Sequence, residues 1–160
     1  MLVQPNMPEA EPERKDVQAA AQAIGLKLIT LNVSSDRDIE TAFATLVQGG
    51  AGALLVGAGA YLNSKRESLI ALAARHAIPA MYQVREAVVA GGLMSYGPSQ
   101  SNAYHQAGIY AGRILKGEKP ADLPVLQSTK FEFALNLKTA KALGLDVPMI
   151  IQMTADEVIE

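Results

Sequence analysis

The stretch Ala53–Val56, ALLV, is short and entirely apolar. A run of this length and composition is typical of a parallel strand that helices cover on both faces. Gly49 and Gly50 come just before it, and they end a predicted helix that begins at Ser34 and Ser35. Apolar residues recur at helical spacing within that helix. The stretch therefore predicts a helix followed by a buried strand, which is the repeating unit of an α/β fold.

The same alternation continues on both sides of this strand. Predicted strands are Leu2–Val3, Leu26–Val33, Ala53–Val56, Ile78–Tyr82, Leu93–Tyr96 and Lys130–Leu135. Predicted helices, besides the one just described, are Glu11–Ile24, a helix opened by a capping box at Ser64–Glu67, a short turn at Arg85–Ala90, Asn102–Lys116, Leu137–Leu143 and a short helix near Asp156. Strands that alternate with helices predict a doubly wound, mostly parallel, Rossmann-like sheet with helices on both faces and right-handed crossovers.

Composition excludes several classes of protein. The chain has 160 residues, of which 49% are apolar and 19% charged, as in an ordinary globular protein of one domain or a little more. A net charge of −2 offers no basic excess for nucleic acid. The absence of cysteine rules out disulfides, thiolate catalysis and cysteine metal sites.

The beginning of the chain raises a further expectation. Leu2 and Val3 resemble the last two residues of a strand, and the loop Gln4–Pro8 follows them. Two residues are few for a buried strand, so we expect that part of the protein precedes them; a short edge strand is the alternative. The residues after Met1 show neither the basic start nor the cleavage site of a signal peptide.

No motif for catalysis, a cofactor or a metal is complete. Gly57–Leu62 has only two of the three glycines of a dinucleotide fingerprint, and Gly112–Lys119 has glutamate where a phosphate loop needs lysine. Ser95 lacks the glycines of a nucleophile elbow. His76 is predicted to cap a helix C-terminus and His105 to be solvated. We therefore predict no catalytic residue, cofactor or metal.

Polar residues instead follow the predicted strands. Ligands of open α/β sheets bind beyond the carboxyl ends of the strands. The segments expected there are Gln4–Pro8, Asn32–Ser35, Gly57–Asn63, Gln83–Glu86 and Tyr96–Ser99. Their amides, hydroxyls and aromatic rings suit a small solute. Arg85 and Glu86 are open to two interpretations, a surface ion pair or part of a site.

Four stretches together resemble one known family. They are GGLMSYGPS at 91–99, AGIYAGRILKGEKPADLPV at 107–125, KFEFALNLKTAKALGL at 130–145 and ADEVIE at 155–160. They resemble the ABC-transporter substrate-binding proteins of the tryptophan/tyrosine type, which have the periplasmic-binding-protein-like type I fold. The resemblance implies a longer protein in which two α/β lobes, joined by a hinge, close over a ligand.

The resemblance also implies a domain organisation and a function. The chain would be the C-terminal half, with residues 1–98 as the ligand-binding lobe and 99–160 as a crossover helix, last strand and C-terminal segment, partly a remnant of the first lobe. It would capture a small organic solute such as an amino acid for an ABC permease, without enzymatic activity. The full-length protein would be periplasmic or lipid-anchored outside the inner membrane. The surface left by the missing lobe would favour a homodimer.

Family patterns imply a set of ligand contacts. The matching positions are Asn6, Gly59, Ala60, Tyr61, Arg85, Glu86, Ser95 and Tyr96. The loop around Ala58 departs from the usual pattern, because an anchoring carboxylate and an aromatic residue are absent from it. For Tyr96, a second interpretation is a core tyrosine whose hydroxyl bonds a backbone carbonyl.

Two rival functions stay open at this point. One is a cytoplasmic effector-binding sensor of the same fold, which the absence of a signal peptide favours and the absence of a DNA-binding head opposes. The other is an α/β enzyme of unrecognised type, for which Arg85 and Glu86 would be the best candidates.

Overall fold

The computed structural model describes residues 1–160. The strands are β1 Leu2–Val3, β2 Leu31–Asn32, β3 Leu54–Leu55, β4 Ala80–Tyr82, β5 Met94–Pro98, β6 Phe131–Asn136 and β7 Glu157–Ile159. The helices are α1 Ala10–Ala23, α2 Asp36–Gln48, α3 Ala60–Ser64, α4 Arg66–Arg75, α5 Arg85–Val89, α6 Gln100–Leu115, α7 Leu137–Ala142 and α8 Met149–Thr154. A 3₁₀ turn lies at Pro120–Asp122.

The strands line up in the order β2-β1-β3-β4-β5-β6-β7. β3 to β7 form a five-stranded sheet, and β1 and β2 form a separate parallel pair. A parallel bridge between Leu2 and Val56 connects the pair to the larger sheet. Only β5 and β6 pair antiparallel. The predicted mostly parallel sheet is therefore confirmed.

Helices cover both faces of this sheet. The side chains of β3 alternate between two apolar clusters, one on each face. On one face, Leu54 packs in a cluster with Phe43 of α2 and Leu69 of α4. On the other face, Leu55 packs against a smaller cluster with Val17 of α1. Continuous apolar runs such as ALLV are thus explained by burial on both sides.

The helix α6 is long, and none of its residues is buried. Tyr104 and Leu115 on this helix are 75% and 88% exposed, and Val125 beyond it is 97% exposed. The segment is held mainly by its own contacts. The Tyr110 hydroxyl donates to the Pro124 carbonyl at 2.7 Å. The stretch 100–126 therefore stands apart from the core.

Two predicted elements differ in the structure. Leu26–Val33 is a strand only at Leu31–Asn32, because its partner β1 has just two residues to pair with. The predicted capping box at Ser64 does not form, since Ser64 ends α3 and its hydroxyl donates to the Tyr61 carbonyl. Lys65 precedes α4 and makes no side-chain cap.

At both ends of the chain, the structure also differs from an expectation drawn from the sequence. The predicted helix near Asp156 is wrong: α8 ends at Thr154, and β7 follows as a strand parallel to β6. Leu2 and Val3 are fully buried between β2 and β3, so they do not form an edge strand. None of the helices has the length and apolar character needed to cross a membrane.

Candidate functional site

The carboxyl ends of β1, β3 and β4 meet at one edge of the sheet, where ligands of open α/β sheets bind. β1 leads into Gln4, β3 into Gly57 and β4 into Gln83. The Gln4 side chain crosses between two of these loops, since its Oε1 accepts a hydrogen bond from the Tyr61 backbone N–H at 3.0 Å. We call these strand ends and their loops the carboxyl edge.

A carboxylate from α1 reaches into the carboxyl edge. Glu13 Oε1 accepts from the Ala58 backbone N–H at 3.1 Å and from Gln83 Nε2 at 3.0 Å. Its Oε2 lies 3.2 Å from the same Ala58 nitrogen. Glu13 is half-buried. The loop that departs from the family pattern at Ala58 thus has a carboxylate after all, from a different part of the chain.

Sequence reasoning missed Glu13 for a definite reason. Its partners lie 45 and 70 positions away along the chain. In the sequence it is one of several acidic residues near a helix N-terminus, where such residues are ordinary. No local signal separates it from Glu11, which is exposed on the same helix.

Two glycines allow the loop after β3 to approach Leu2 and Gln4 closely at the carboxyl edge. A Cβ on Gly57 would lie 2.7 Å from the Leu2 carbonyl oxygen. Gly59 has φ of 150°, and a Cβ there would lie 2.2 Å from Gln4 Oε1. The predicted ligand contact Gly59 is therefore a position where the backbone itself is close to the edge.

Tyr61 uses its hydroxyl within the protein. The hydroxyl donates to Asp36 Oδ1 at 2.5 Å, and Lys65 Nζ lies 2.8 Å from Asp36 Oδ2. Burial and this hydrogen bond raise the pKa of Tyr61 to about 12. The hydrogen bonds from Lys65 and then Tyr61 lower the pKa of Asp36. Tyr61 therefore anchors α3 to α2, and its backbone N–H is the part bound at the carboxyl edge.

Arg85 and Glu86 begin α5, and both are exposed. The predicted alternative of an ion pair between Arg85 and Glu86 is wrong, because Arg85 pairs with Glu157 of β7. Arg85 Nη2 donates to Glu157 Oε1 at 2.7 Å, and Nε donates to Oε2. The hydrogen bonds from Arg85 to Glu157 raise the pKa of Arg85.

These two residues line a polar cavity of about 440 Å³. It also includes Gly97, Ser101, Lys130, Glu132, Asp156 and Glu157. Glu132 reaches this cavity from β6. We call it the polar cavity; it lies between the start of α5 and the strands β5 to β7.

Ser95 and Tyr96 point to opposite faces of β5. Ser95 is buried beside Tyr82, its register partner on β4. Tyr96 is 54% exposed, and its ring stacks on Phe131 with centroids 5.8 Å apart. The interpretation of Tyr96 as a core residue is therefore wrong. The exposed stack is an aromatic surface that sequence reasoning identified only in part, since it did not single out Phe131.

The predicted contacts therefore fall on two faces. The β4–β5 register pairs Tyr82 with Ser95, so Gln83 and Tyr96 follow as neighbours on the face that α1 covers. There they lie with Glu13 and Phe131 near the carboxyl edge. Arg85 and Glu86 line the polar cavity instead, next to the face that carries Ser95. Asn6 is exposed in the turn after β1.

The predicted histidine roles agree with the structure. His76 lies at the C-terminal end of α4, where its ring stacks near Phe43 with centroids 6.1 Å apart. His105 is exposed on α6.

Several solved structures share this fold. One, a conserved domain protein from Vibrio cholerae, superposes with a TM-score of 0.85 at 20% identity, over 98% of this chain and 53% of its own. Another, an ABC domain in complex with L-Trp from Streptococcus pneumoniae, gives 0.86 at 24% identity, over 99% and 53%. A ligand-free, open substrate-binding protein with adhesive properties from Clostridium difficile gives 0.68 at 20% identity, over 99% and 52%.

The chain thus spans about half the length of the solved structures that it matches. No curated protein matches it in sequence. The model of the ABC transporter substrate-binding protein family matches residues 1–159, which is nearly the whole chain. The chain therefore belongs to the family of ABC transporter substrate-binding proteins.

Proposed function

We propose that this chain forms one wall of a solute-binding cleft that serves an ABC importer, and that its solute is a small organic molecule such as an amino acid. The observation that carries the proposal is the grouping of Glu13, Gln83 and the exposed Tyr96–Phe131 stack near the carboxyl edge. Family membership supports it, because the matched family is one of substrate-binding proteins.

The chemistry of this grouping suits a solute with an ammonium group and a flat apolar part. The Glu13 carboxylate accepts bonds from Ala58 and Gln83 and keeps lone-pair capacity for one more donor. An aromatic pair with an open face binds rings by stacking and cations by their charge. The Streptococcus pneumoniae structure contains L-Trp, which has both features.

Binding by closure of two lobes is the mechanism that we propose. Residues 1–98 would form the ligand-binding lobe, and the exposed α6 within 99–160 would pack on a second lobe. Solute binding would stabilise the closed form, and a permease would bind that form selectively. No covalent step is required, so we propose no enzymatic activity. The site of action would lie outside the inner membrane.

An isolated chain of this kind would also self-associate. Six large apolar side chains are exposed along α6 and the segment after it: Tyr104, Ile109, Ile114, Leu115, Val125 and Leu126. Large exposed apolar patches are uncommon on monomeric proteins and mark interaction surfaces. We propose that two copies cover this surface as a homodimer, with α6 at the interface.

Native mass spectrometry with a pool of amino acids tests the proposal. We expect a dimer that carries a bound amino acid, and weaker occupancy in Glu13→Ala than in the control Glu11→Ala. A monomer would contradict the homodimer. Absence of any adduct, with the pool in large excess over the protein, would contradict the role of the carboxyl edge as a solute-binding wall.

A further inference from the structure

A small cavity between α3, α4 and β4 is lined by residues that carry buried polar atoms without a hydrogen-bond partner within the protein. Five buried side-chain atoms of the chain are in this situation. Three of them, Asn63 Oδ1, Arg66 Nε and the Tyr82 hydroxyl, belong to residues that line this one cavity. Buried polar groups in folded proteins almost always have a partner, so three such atoms around one space indicate a ligand.

The volume of the cavity suits a very small ligand. It measures about 30 Å³. A water molecule needs a space of at least about 10–15 Å³ and two to four polar partners. An amino acid or another organic molecule is far too large for this space. A single water molecule fits it.

The three groups also match the hydrogen-bonding pattern of water. Asn63 Oδ1 accepts a hydrogen bond, Arg66 Nε–H donates one, and the Tyr82 hydroxyl can do either. Buried waters typically make about three hydrogen bonds to groups that would otherwise be unsatisfied. The guanidinium of Arg66 is held in place, because Nη1 donates to the Asn63 carbonyl at 3.3 Å.

The Tyr82 ring borders a second space, so the direction of its hydroxyl has to be argued. The ring edge faces Gly92, where an added Cβ would lie 2.8 Å from Cε2. Gly92 lines an apolar groove whose polar side chains are those of Lys138 and Thr139. The Thr139 hydroxyl already donates to the Gly91 carbonyl at 2.9 Å. The cavity with Asn63 and Arg66 contributes an acceptor, Asn63 Oδ1, that has no other partner within the protein. Burial raises the pKa of Tyr82, so the hydroxyl stays protonated and can donate.

We propose that this cavity is the binding site of one structural water molecule that bridges Asn63, Arg66 and Tyr82. The water would join the α3–α4 segment to β4. Gly57, Gly59 and Gln83 also line the cavity, so the water would lie directly beneath the carboxyl edge. It would support the loops that hold Glu13 and the backbone of Tyr61. The inference does not depend on which solute the chain binds.

Oxygen-17 magnetic relaxation dispersion, which counts long-lived bound waters, tests this inference. The double variant Asn63→Leu with Tyr82→Phe leaves only Arg66 as a partner, fewer than a buried water requires. We expect this variant to have one long-lived water fewer than the unaltered chain. Tyr110→Phe removes an exposed hydroxyl elsewhere and should leave the count unchanged. An equal count in the double variant and the unaltered chain would overturn the inference.

A high-resolution crystal structure of the unaltered chain gives an answer that does not depend on the folding of any variant. We expect density for one water within about 3.2 Å of at least two of the three polar atoms. Direct hydrogen bonds among Asn63, Arg66 and Tyr82, with no density between them, would overturn the inference.

Discussion

At the scale of single residues, Glu13 matters because it connects three elements. From α1 it holds the Ala58 N–H after β3 and the Gln83 amide after β4. A half-buried carboxylate that accepts several bonds contributes more than an exposed ion pair, because its partners would be left without an acceptor when it is removed. It therefore serves both the fold and the proposed binding of an ammonium group.

We predict that Glu13→Ala lowers the free energy of unfolding by about 1–3 kcal/mol, since the Ala58 and Gln83 donors lose their acceptor. Urea denaturation followed by circular dichroism measures the change. The control Glu11→Ala, at an exposed position on the same helix, should change the value by less than about 0.5 kcal/mol. Equal losses in the two variants would show that the Glu13 contacts are unimportant.

The pair Asp36–Tyr61 predicts a dependence on pH. Hydrogen bonds from Lys65 and Tyr61 lower the pKa of Asp36 in the folded state. The stabilisation is therefore fully present above the unfolded-state pKa of about 3.9 and is lost as the pH falls through the lower folded-state pKa. The unaltered chain should be more stable than Asp36→Asn at neutral pH, and the difference should shrink below about pH 4. Thermal unfolding of both proteins at a series of pH values measures this; a difference that does not change with pH would refute it.

Single residues also show what the sequence could predict. Arg85 follows β4 closely, as predicted, whereas Tyr96 lies within β5, which continues to Pro98 instead of ending at Tyr96. Their partners were not predicted. Glu157 lies 72 positions from Arg85, and only the sheet order brings the two together. Local patterns contain no information on such long-range pairs.

At the scale of elements, the contact between β4 and β5 depends on one glycine. A Cβ on Gly97 would lie 2.0 Å from the Gln83 carbonyl oxygen, a backbone atom that cannot rotate away. The close approach brings the end of β5 beside the end of β4. Gly108 on α6 is different, since nothing lies within 4 Å of its added Cβ.

We predict that Gly97→Ala destabilises the chain by at least about 2 kcal/mol, because the strands must move apart to admit the methyl group. The matched variant Gly108→Ala should be neutral or stabilising by up to about 1 kcal/mol, since alanine is the better helix former. Chemical denaturation of the two variants in parallel gives both numbers. Similar stabilities for the two would contradict the close packing at Gly97.

Elements were predictable where the pattern and the packing agree. The apolar run ALLV forms a strand at Leu54–Leu55, and the periodic pattern after Ser35 forms α2 at Asp36–Gln48. β2 and β7 were misjudged, because their extent depends on the partner strand: β1 limits β2 to Leu31–Asn32, and β6 recruits Glu157–Ile159. The capping box at Ser64 failed for a similar reason, since α3 already occupied that turn.

At the scale of the whole molecule, burial separates two parts. The sheet and its covering helices contain the core, whereas α6 and the segment up to Leu126 contribute no buried residue. The solved structures that the chain matches are about twice its length. What the sequence could not predict is that the expected ligand contacts lie on two faces, because that distribution follows from strand register rather than from motif.

The central claim is that the carboxyl edge binds a small solute. The most direct test is an NMR titration of the isotope-labelled chain with L-tryptophan, because chemical shifts detect weak binding residue by residue. We predict concentration-dependent shifts at the amides of Ala58–Tyr61, Gln83 and Tyr96, with smaller shifts for L-alanine, which lacks a ring. Shifts confined to the polar cavity around Arg85 and Glu86, or no shifts at all, would contradict the account.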